Sequence, residues 1–249
     1  MDYEIVTEDL QNKSPEFLEL YAKANPLPGA RAKVPLLEVM DVKQSAEPIY
    51  LTESLVVAEY IAEQYGQTSN ENDDSMDASE EQTPKKVKPG ASLCPPSARD
   101  RATVRLFTEL CGGPAFSYFP LLRAKGDAVD DAVKTFKEGL IGADTFLKHH
   151  DSSPFLLGNR FSLAECNAAP FVQRACTILP AFTGPDSANP DMPKVDPLAM
   201  CEELGLERLQ TWIEAVMARP SVVTTGVPKD KLIESTNKML ERFATMEKK

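Results

Sequence analysis

The histidines and cysteines of this sequence, the side chains best suited to metal binding and nucleophilic chemistry, show no catalytic spacing. His149 and His150 are neighbours, and neighbours in a helix point to different sides, so they cannot chelate one metal ion as an i, i+4 pair would. They lie near a predicted helix end and are expected to act as weak C-terminal caps. The five cysteines form no CxxC pair and no zinc-like spacing, and we predict buried free thiols, with core positions for two of them. These cysteines are Cys94, Cys111, Cys166, Cys176 and Cys201, the predicted core pair being Cys166 and Cys176.

A Cys–His nucleophile pair stays open from the sequence. Nothing near Cys94, Cys111 or Cys166 supplies a positive charge or a helix start that would lower a thiol pKa. We therefore assign no catalytic residue and no metal ligand from these side chains.

An anion site is indicated where Thr52, Glu53 and Ser54 precede an amphipathic helix. The first N–H groups of a helix have no partner within it, and the dipole makes this end positive, so the helix start favours a negatively charged group. A purely structural explanation exists as well. Thr52 or Ser54 could cap the helix while Glu53 favours its first turn.

The elements that would position these residues form a short α/β pattern. A strand is predicted at 3–6, and a helix follows from Pro15, with Ser14 as its N-cap, up to Asn25-Pro26. Two further strands are predicted at 34–39 and around 48–51, and apolar spacing predicts a helix from Leu55 to Tyr65. The order is strand, helix, strand, strand, helix.

The rest of the chain divides into a polar stretch and a helical region. Residues 67–97 contain almost nothing to bury and are predicted to be a disordered acidic linker between a domain at 1–66 and an all-helical domain at 98–249. Ser162 and Glu165 match a capping box, and Pro170 within a helical pattern predicts a kink. The longest predicted helix carries Val129, Val133, Phe136, Leu140, Ala143 and Leu147 at helical spacing, and another carries Leu209, Trp212, Ile213 and Val216.

Composition narrows the classes of partner. The net charge of −11 repels phosphate backbones, so we expect no nucleic-acid binding. The sequence has no apolar run of about 18 residues and no signal-like start, so we expect no membrane association and a cytoplasmic location. Small molecules or proteins are the expected partners.

Four motifs in order give the chain a resemblance to a known family. They are Lys33-Val34-Pro35-Leu36-Leu37-Glu38, Thr52-Glu53-Ser54 with its helix, Asn159 to Glu165, and Trp212 followed by Arg219-Pro220-Ser221-Val222. Together they resemble the cytosolic glutathione transferases, closest to the omega-like and related plant and microbial classes. The resemblance implies a thioredoxin-like N-terminal domain, incomplete here, followed by a transferase-type helical bundle, an α/β plus all-α fold.

The resemblance also implies glutathione as co-substrate and a set of residues to hold it. With Pro35 in the cis form, the backbone N–H and C=O of Val34 would pair with the cysteinyl part of glutathione, although a trans proline at a strand start is common. Ser54, at the helix start, would hold the γ-glutamyl carboxylate and Glu53 the ammonium. Lys33 would hold the glycyl carboxylate, or remain a solvated surface lysine.

Relatives activate the sulfur with a Tyr, Ser or Cys on a first strand and helix, and no residue here matches that position. By this resemblance the sequence opens at the family's second strand, and two functions stay open. One is an enzyme that transfers glutathione to an electrophile or reduces thiols and disulfides. Its second-substrate site would lie near residues 99–119, and the enzyme could form a homodimer. The other is a non-catalytic scaffold or protein-interaction module with the same fold.

Overall fold

In the computed structural model, residues 3–40, 47–65, 93–150, 153–187 and 189–246 are described. The chain forms two compact units, Met1–Cys94 and Pro95–Lys249. The predicted linker at 67–97 lies mostly outside the described residues. Within the described ranges, no helix is both long enough and apolar enough to cross a membrane.

The first unit opens its regular structure with helix α1, Pro15–Ala24. Ser14 has extended backbone angles and accepts a hydrogen bond from the N–H of Phe17 at 3.2 Å, and Pro15 occupies the first helical position. Both features were predicted, and both are confirmed. Phe17 and Tyr21, one turn apart, are the buried residues of the helix, which packs against the second strand of the hairpin.

A β-hairpin and a second helix complete the first unit. Strand β1, Leu36–Val39, pairs antiparallel with β2, Ile49–Thr52, so that Leu36 faces Thr52 and Val39 faces Ile49. Helix α2, Ser54–Tyr65, begins two residues after β2 and packs against it. The two strands and the helix confirm the sequence pattern, although β1 begins after Pro35 rather than at Val34.

The predicted strand at 3–6 is wrong. This segment has no strand structure in the described chain, and the side chains of Tyr3, Ile5 and Val6 are 72%, 78% and 81% exposed. A β-strand is stable only when its backbone groups pair with a neighbour and its apolar side chains are covered. The described sheet consists of β1 and β2, and residues 3–6 pair with neither.

The second unit is helical, as predicted. A tightly packed centre is formed by Trp212, which is fully buried and lies 5.4 Å from the ring of Phe107 and 6.2 Å from that of Phe116. The helices are α3 Ala98–Phe107, α4 Phe119–Arg123, α5 Ala128–His149, α6 Leu163–Phe182, α7 Pro197–Glu203, α8 Glu207–Ala218, α9 Pro220–Thr225 and α10 Lys229–Met246, with a π-helical turn at Thr108–Gly112 and a 3-10 turn at Pro114–Phe116.

Helix α6 begins with the predicted capping box. Ser162 accepts a hydrogen bond from the N–H of Ala164 at 3.2 Å, and Glu165 accepts one from the N–H of Ser162 at 2.9 Å. Glu165 is fully buried. Pro170 lies inside the helix as predicted, and Pro180 is a second internal proline.

Candidate functional site

The hairpin register brings the two sequence stretches with predicted binding residues together. Leu36 faces Thr52 at the end of the ladder, so the next residues outward are Pro35 on one side and Glu53 on the other. The hydroxyl of Thr52 donates a hydrogen bond to the carbonyl oxygen of Pro35 at 3.3 Å, which ties the two segments together beyond the last strand pair. Val34 and Pro35 therefore lie beside Glu53 and Ser54, at the open end of the hairpin.

The strand side of this end is accessible. Val34 is 49% exposed, and its neighbours Lys33 and Pro35 are exposed as well. The Val34–Pro35 peptide bond is cis. Residues 33–35 are therefore accessible to a ligand from solvent among the described residues.

The helix side of this end is strained. Glu53 has φ of 69°, the one non-glycine residue with positive φ among the described residues. The left-handed region suits glycine, and a larger residue held there costs about 1–3 kcal/mol. Such strain is often found at binding sites, but no sequence signal predicts it here, because glutamate has no preference for this conformation.

The start of α2 has the polarity expected of an anion site. The carbonyl of Glu53 accepts a hydrogen bond from the N–H of Val57 at 3.0 Å, which begins the helical pattern. The N–H groups of Ser54, Leu55 and Val56 precede that first bond and have no acceptor within the helix. Glu53 and Ser54 are both exposed. The end of the hairpin thus combines an open stretch of backbone, unpaired donors at a positive helix end, and one carboxylate.

The cysteines are free thiols, as predicted, but their burial differs from the prediction. Cys111 and Cys201 are buried, whereas Cys94, Cys166 and Cys176 are partly buried. Burial is the main cause that raises the pKa of Cys111, that of Cys166 to about 11, and those of Cys176 and Cys201 to about 12. These four thiols keep their protons near neutral pH and are poor nucleophiles.

The histidines lie where the sequence predicts, at the end of a helix. His149 is the last residue of α5 and His150 follows it. Burial lowers the pKa of His150, and the nearby charges of His149 and Arg99 add to this effect. No group of three possible metal ligands occurs among the described His, Cys, Asp and Glu residues.

The stretch 99–119, predicted to line a second-substrate site, presents apolar side chains on the surface of the second unit. Leu106 and Leu110, one turn apart across the start of the π-helical turn, are 50% and 58% exposed, and Phe119 is 43% exposed. The backbone of Gly113 lies against the ring of Phe171, which a Cβ at that position would approach to 3.5 Å. Such a surface can accept an apolar or aromatic molecule.

Comparison of the sequence with protein families finds the same family for both units. The glutathione S-transferase N-terminal domain matches residues 1–63, and the glutathione S-transferase C-terminal domain matches residues 126–215. The two matches together cover more than half of the chain. They confirm the predicted fold class, an N-terminal thioredoxin-like domain followed by a helical C-terminal domain.

Solved structures with the same fold include three plant and fungal proteins. The chain is similar to glutathione transferase Omega 1C from Trametes versicolor, with 22% identity and a TM-score of 0.56 over 92% of this chain and 81% of that one. It is similar to a Tau class glutathione S-transferase from mango, with 21% identity and a TM-score of 0.60 over 95% and 86% of the two chains. It is also similar to rice GST1 in complex with glutathione, with 20% identity and a TM-score of 0.58 over 98% and 87%.

At these identities the structural likeness establishes the fold alone. No curated protein matches the sequence at a significant level.

Proposed function

Because this chain belongs to the glutathione transferase family, we propose that it binds glutathione at the open end of the β1–β2 hairpin. The observation that carries the proposal is the register of that hairpin. It sets the exposed backbone of Val34 and Pro35 beside the exposed Glu53 and Ser54, with the Thr52–Pro35 hydrogen bond between them.

Each part of the tripeptide has a chemical counterpart at this end. The backbone of Val34 offers an N–H and a C=O to the peptide groups of the cysteinyl residue, as one strand does to another. The γ-glutamyl carboxylate is suited to Ser54 and the unpaired N–H groups at the start of α2. The γ-glutamyl ammonium is suited to the carboxylate of Glu53, and the glycyl carboxylate to Lys33.

The strain at Glu53 supports a binding role for this residue. A capping role would be served by Ser, Thr, Asp or Asn with ordinary extended angles, as Ser14 does before α1. A left-handed glutamate costs stability, and its exposed side chain makes no hydrogen bond that offsets the cost within the described chain.

The proposed reaction is transfer of glutathione to an electrophile or glutathione-dependent reduction of a disulfide substrate to thiols, in a cytoplasmic enzyme of an omega-like or related class. Its second substrate would lie against the apolar surface at 99–119. None of the four cysteines with a raised pKa activates the sulfur of glutathione in this proposal. The proposed enzyme forms a homodimer, because two-fold symmetric dimers are the commonest oligomers of soluble proteins.

The test is calorimetric titration of the whole chain with millimolar glutathione, beside Glu53→Gln and Ser54→Ala. Each substitution removes one or more hydrogen bonds to a charged group of the ligand, and such bonds contribute about 1.5–3 kcal/mol, so we expect roughly a tenfold or greater loss of affinity. Glu16→Gln is the matched control, because Glu16 is an exposed glutamate in the first turn of α1. It should bind like the unaltered chain.

A truncated ligand makes the test specific for the γ-glutamyl group. Cysteinylglycine lacks that group, so its weak binding should be the same for the unaltered chain and for Glu53→Gln. Equal loss with both ligands would indicate a distorted hairpin instead. No glutathione binding by a chain that is folded by circular dichroism would refute the proposal and favour the non-catalytic scaffold.

A further inference from the structure

The last helix, α10, packs along α6 through one stripe of side chains. Among its described side chains, Leu232 and Thr236, one turn apart, are buried, and the preceding helix α9 buries no side chain. At the far end, the guanidinium of Arg123 on α4 lies 4.9 Å from the centre of the Phe243 ring. Ile233, Met239, Leu240 and Phe243 are half-buried. Among its described side chains, the segment 220–246 thus buries two, whereas the 12-residue helix α8 buries four, and weakly buried segments tend to open before the core unfolds.

The joint between α9 and α10 is held by one side chain of the central helix. The carboxamide of Gln173 on α6 donates to the carbonyl oxygen of Val227 at 3.1 Å and accepts from the N–H of the same residue at 3.3 Å. A single amide side chain thus satisfies both backbone groups of Val227, as a paired strand would. These bonds join residues 54 positions apart in the sequence.

Gly226 fits this arrangement for a steric reason. Its φ is −64°, which any residue can adopt, so no conformational need for glycine exists at this position. A Cβ here would lie 2.4 Å from Nε2 of Gln173 and 2.8 Å from the carbonyl oxygen of Val222. Any side chain at position 226 would push the Gln173 carboxamide away from Val227.

We propose that α10 opens as one cooperative unit about the joint 226–228, and that Gln173 is the latch that holds this joint closed. Opening breaks the two Gln173–Val227 hydrogen bonds and exposes Leu232 and Thr236, while α6 and α8 keep their packing around Trp212. The inference is independent of glutathione binding. The face of α6 that α10 covers becomes accessible to solvent only when α10 opens.

Hydrogen exchange of the full chain, followed by mass spectrometry at neutral pH, tests the latch. In the unaltered chain, the amides of α10 should exchange faster than those of α8. Gln173→Leu removes both hydrogen bonds at similar side-chain size and should speed exchange in α10 by about tenfold, with α6 and α8 unchanged. Gln210→Leu is the matched control, because Gln210 bonds within its own helix to Glu214 and should leave α10 unaffected.

A second variant guards against an effect specific to leucine. Gly226→Ala keeps the Gln173 side chain but places a Cβ against both its Nε2 and the carbonyl oxygen of Val222, so it should open the joint and speed α10 exchange in the same direction. Unchanged α10 exchange in both variants would overturn the proposal. Equal acceleration in α8 would overturn it too, because Gln173 would then stabilise the whole unit. Exchange in the unaltered chain that is as slow in α10 as in α8 would exclude a separate opening.

Discussion

Substitution of Glu165 should lower the stability of the second unit more than most other substitutions. The Oε1 atom of Glu165 accepts hydrogen bonds from the N–H of Leu156 at 2.8 Å and from Nε1 of Trp212 at 3.0 Å. Its Oε2 accepts from the N–H and the hydroxyl of Ser162 at 2.9 and 2.8 Å. One buried side chain thus joins the start of α6, the loop before it and the core of α8.

Glu165→Gln keeps the shape of the side chain and changes one oxygen into an NH2 group. That group cannot accept a hydrogen bond. When it faces Ser162, the Ser162 hydroxyl can turn to accept from it, but the N–H of Ser162 loses its acceptor in a site closed to water. A hydrogen bond to a charged group contributes about 1.5–3 kcal/mol and a neutral one about 0.5–1.5 kcal/mol. The loss of one bond and the weakening of those from Leu156 and Trp212, which no longer reach a charged group, should together lower the unfolding free energy by about 3–6 kcal/mol. This is a large part of the roughly 5–15 kcal/mol that stabilises a typical domain.

Urea unfolding followed by tryptophan fluorescence measures this loss directly, because Trp212 is the only tryptophan and is fully buried. Glu214→Gln, at an exposed position of α8, is the control and should change the unfolding free energy by less than about 0.5 kcal/mol. Trp212→Phe, followed by circular dichroism, removes one donor and leaves a cavity among the aromatic rings, so it should lower the unfolding free energy as well. A Glu165→Gln variant within about 1 kcal/mol of the unaltered chain would refute the reasoning.

Two further predictions concern the same unit. Asp144 on α5 accepts a hydrogen bond from the N–H of Leu209, in the first turn of α8, at 3.0 Å. The N-cap residue of α8 makes no side-chain cap, so Asp144 acts in its place. Asp144→Ala should therefore lower the unfolding free energy by about 1–2 kcal/mol, measured by thermal or urea unfolding. Glu203→Ala, which removes an exposed ion-pair partner of Lys137, is its control, and equal effects would contradict the capping role. The thiols with a raised pKa should make the second unit less stable as the pH rises above about 9. In the unfolded chain a cysteine thiol has a pKa of 9.0 and loses its proton there, whereas in the folded chain Cys166 has a pKa of about 11 and keeps its proton. Urea midpoints measured from pH 7 to pH 10 should fall, and the fall should be smaller in Cys166→Ala; a midpoint that rises over this range would be inconsistent with raised thiol pKa values.

Local signals in the sequence were enough to predict most of the helices. Ser14 and Pro15 marked the start of α1, and Ser162 with Glu165 marked the start of α6, because caps act over three or four residues. The apolar spacing of α5 was equally clear. Each of these features depends on neighbours along the chain.

The features that the sequence did not predict correctly depend on contacts between residues far apart in the chain. The segment 3–6 has strand-forming side chains but no strand beside it in the described chain, and a sequence pattern does not report a missing neighbour. The role of Trp212 as a donor to Glu165, 47 positions away, left no local signal. In the sequence, the candidate residues 33–35 and 53–54 form two separate motifs, and only the pairing of Leu36 with Thr52 brings them to one place.

The left-handed backbone of Glu53 has a consequence for anyone who alters this protein. Glycine would adopt φ of 69° without strain, so a library selected only for heat resistance would enrich glycine at position 53 and discard the carboxylate. Under the proposed role of Glu53, selection for retention on immobilised glutathione would favour the opposite choice. Position 53 is therefore a place where screening for robustness and screening for ligand capture would lead the sequence in different directions.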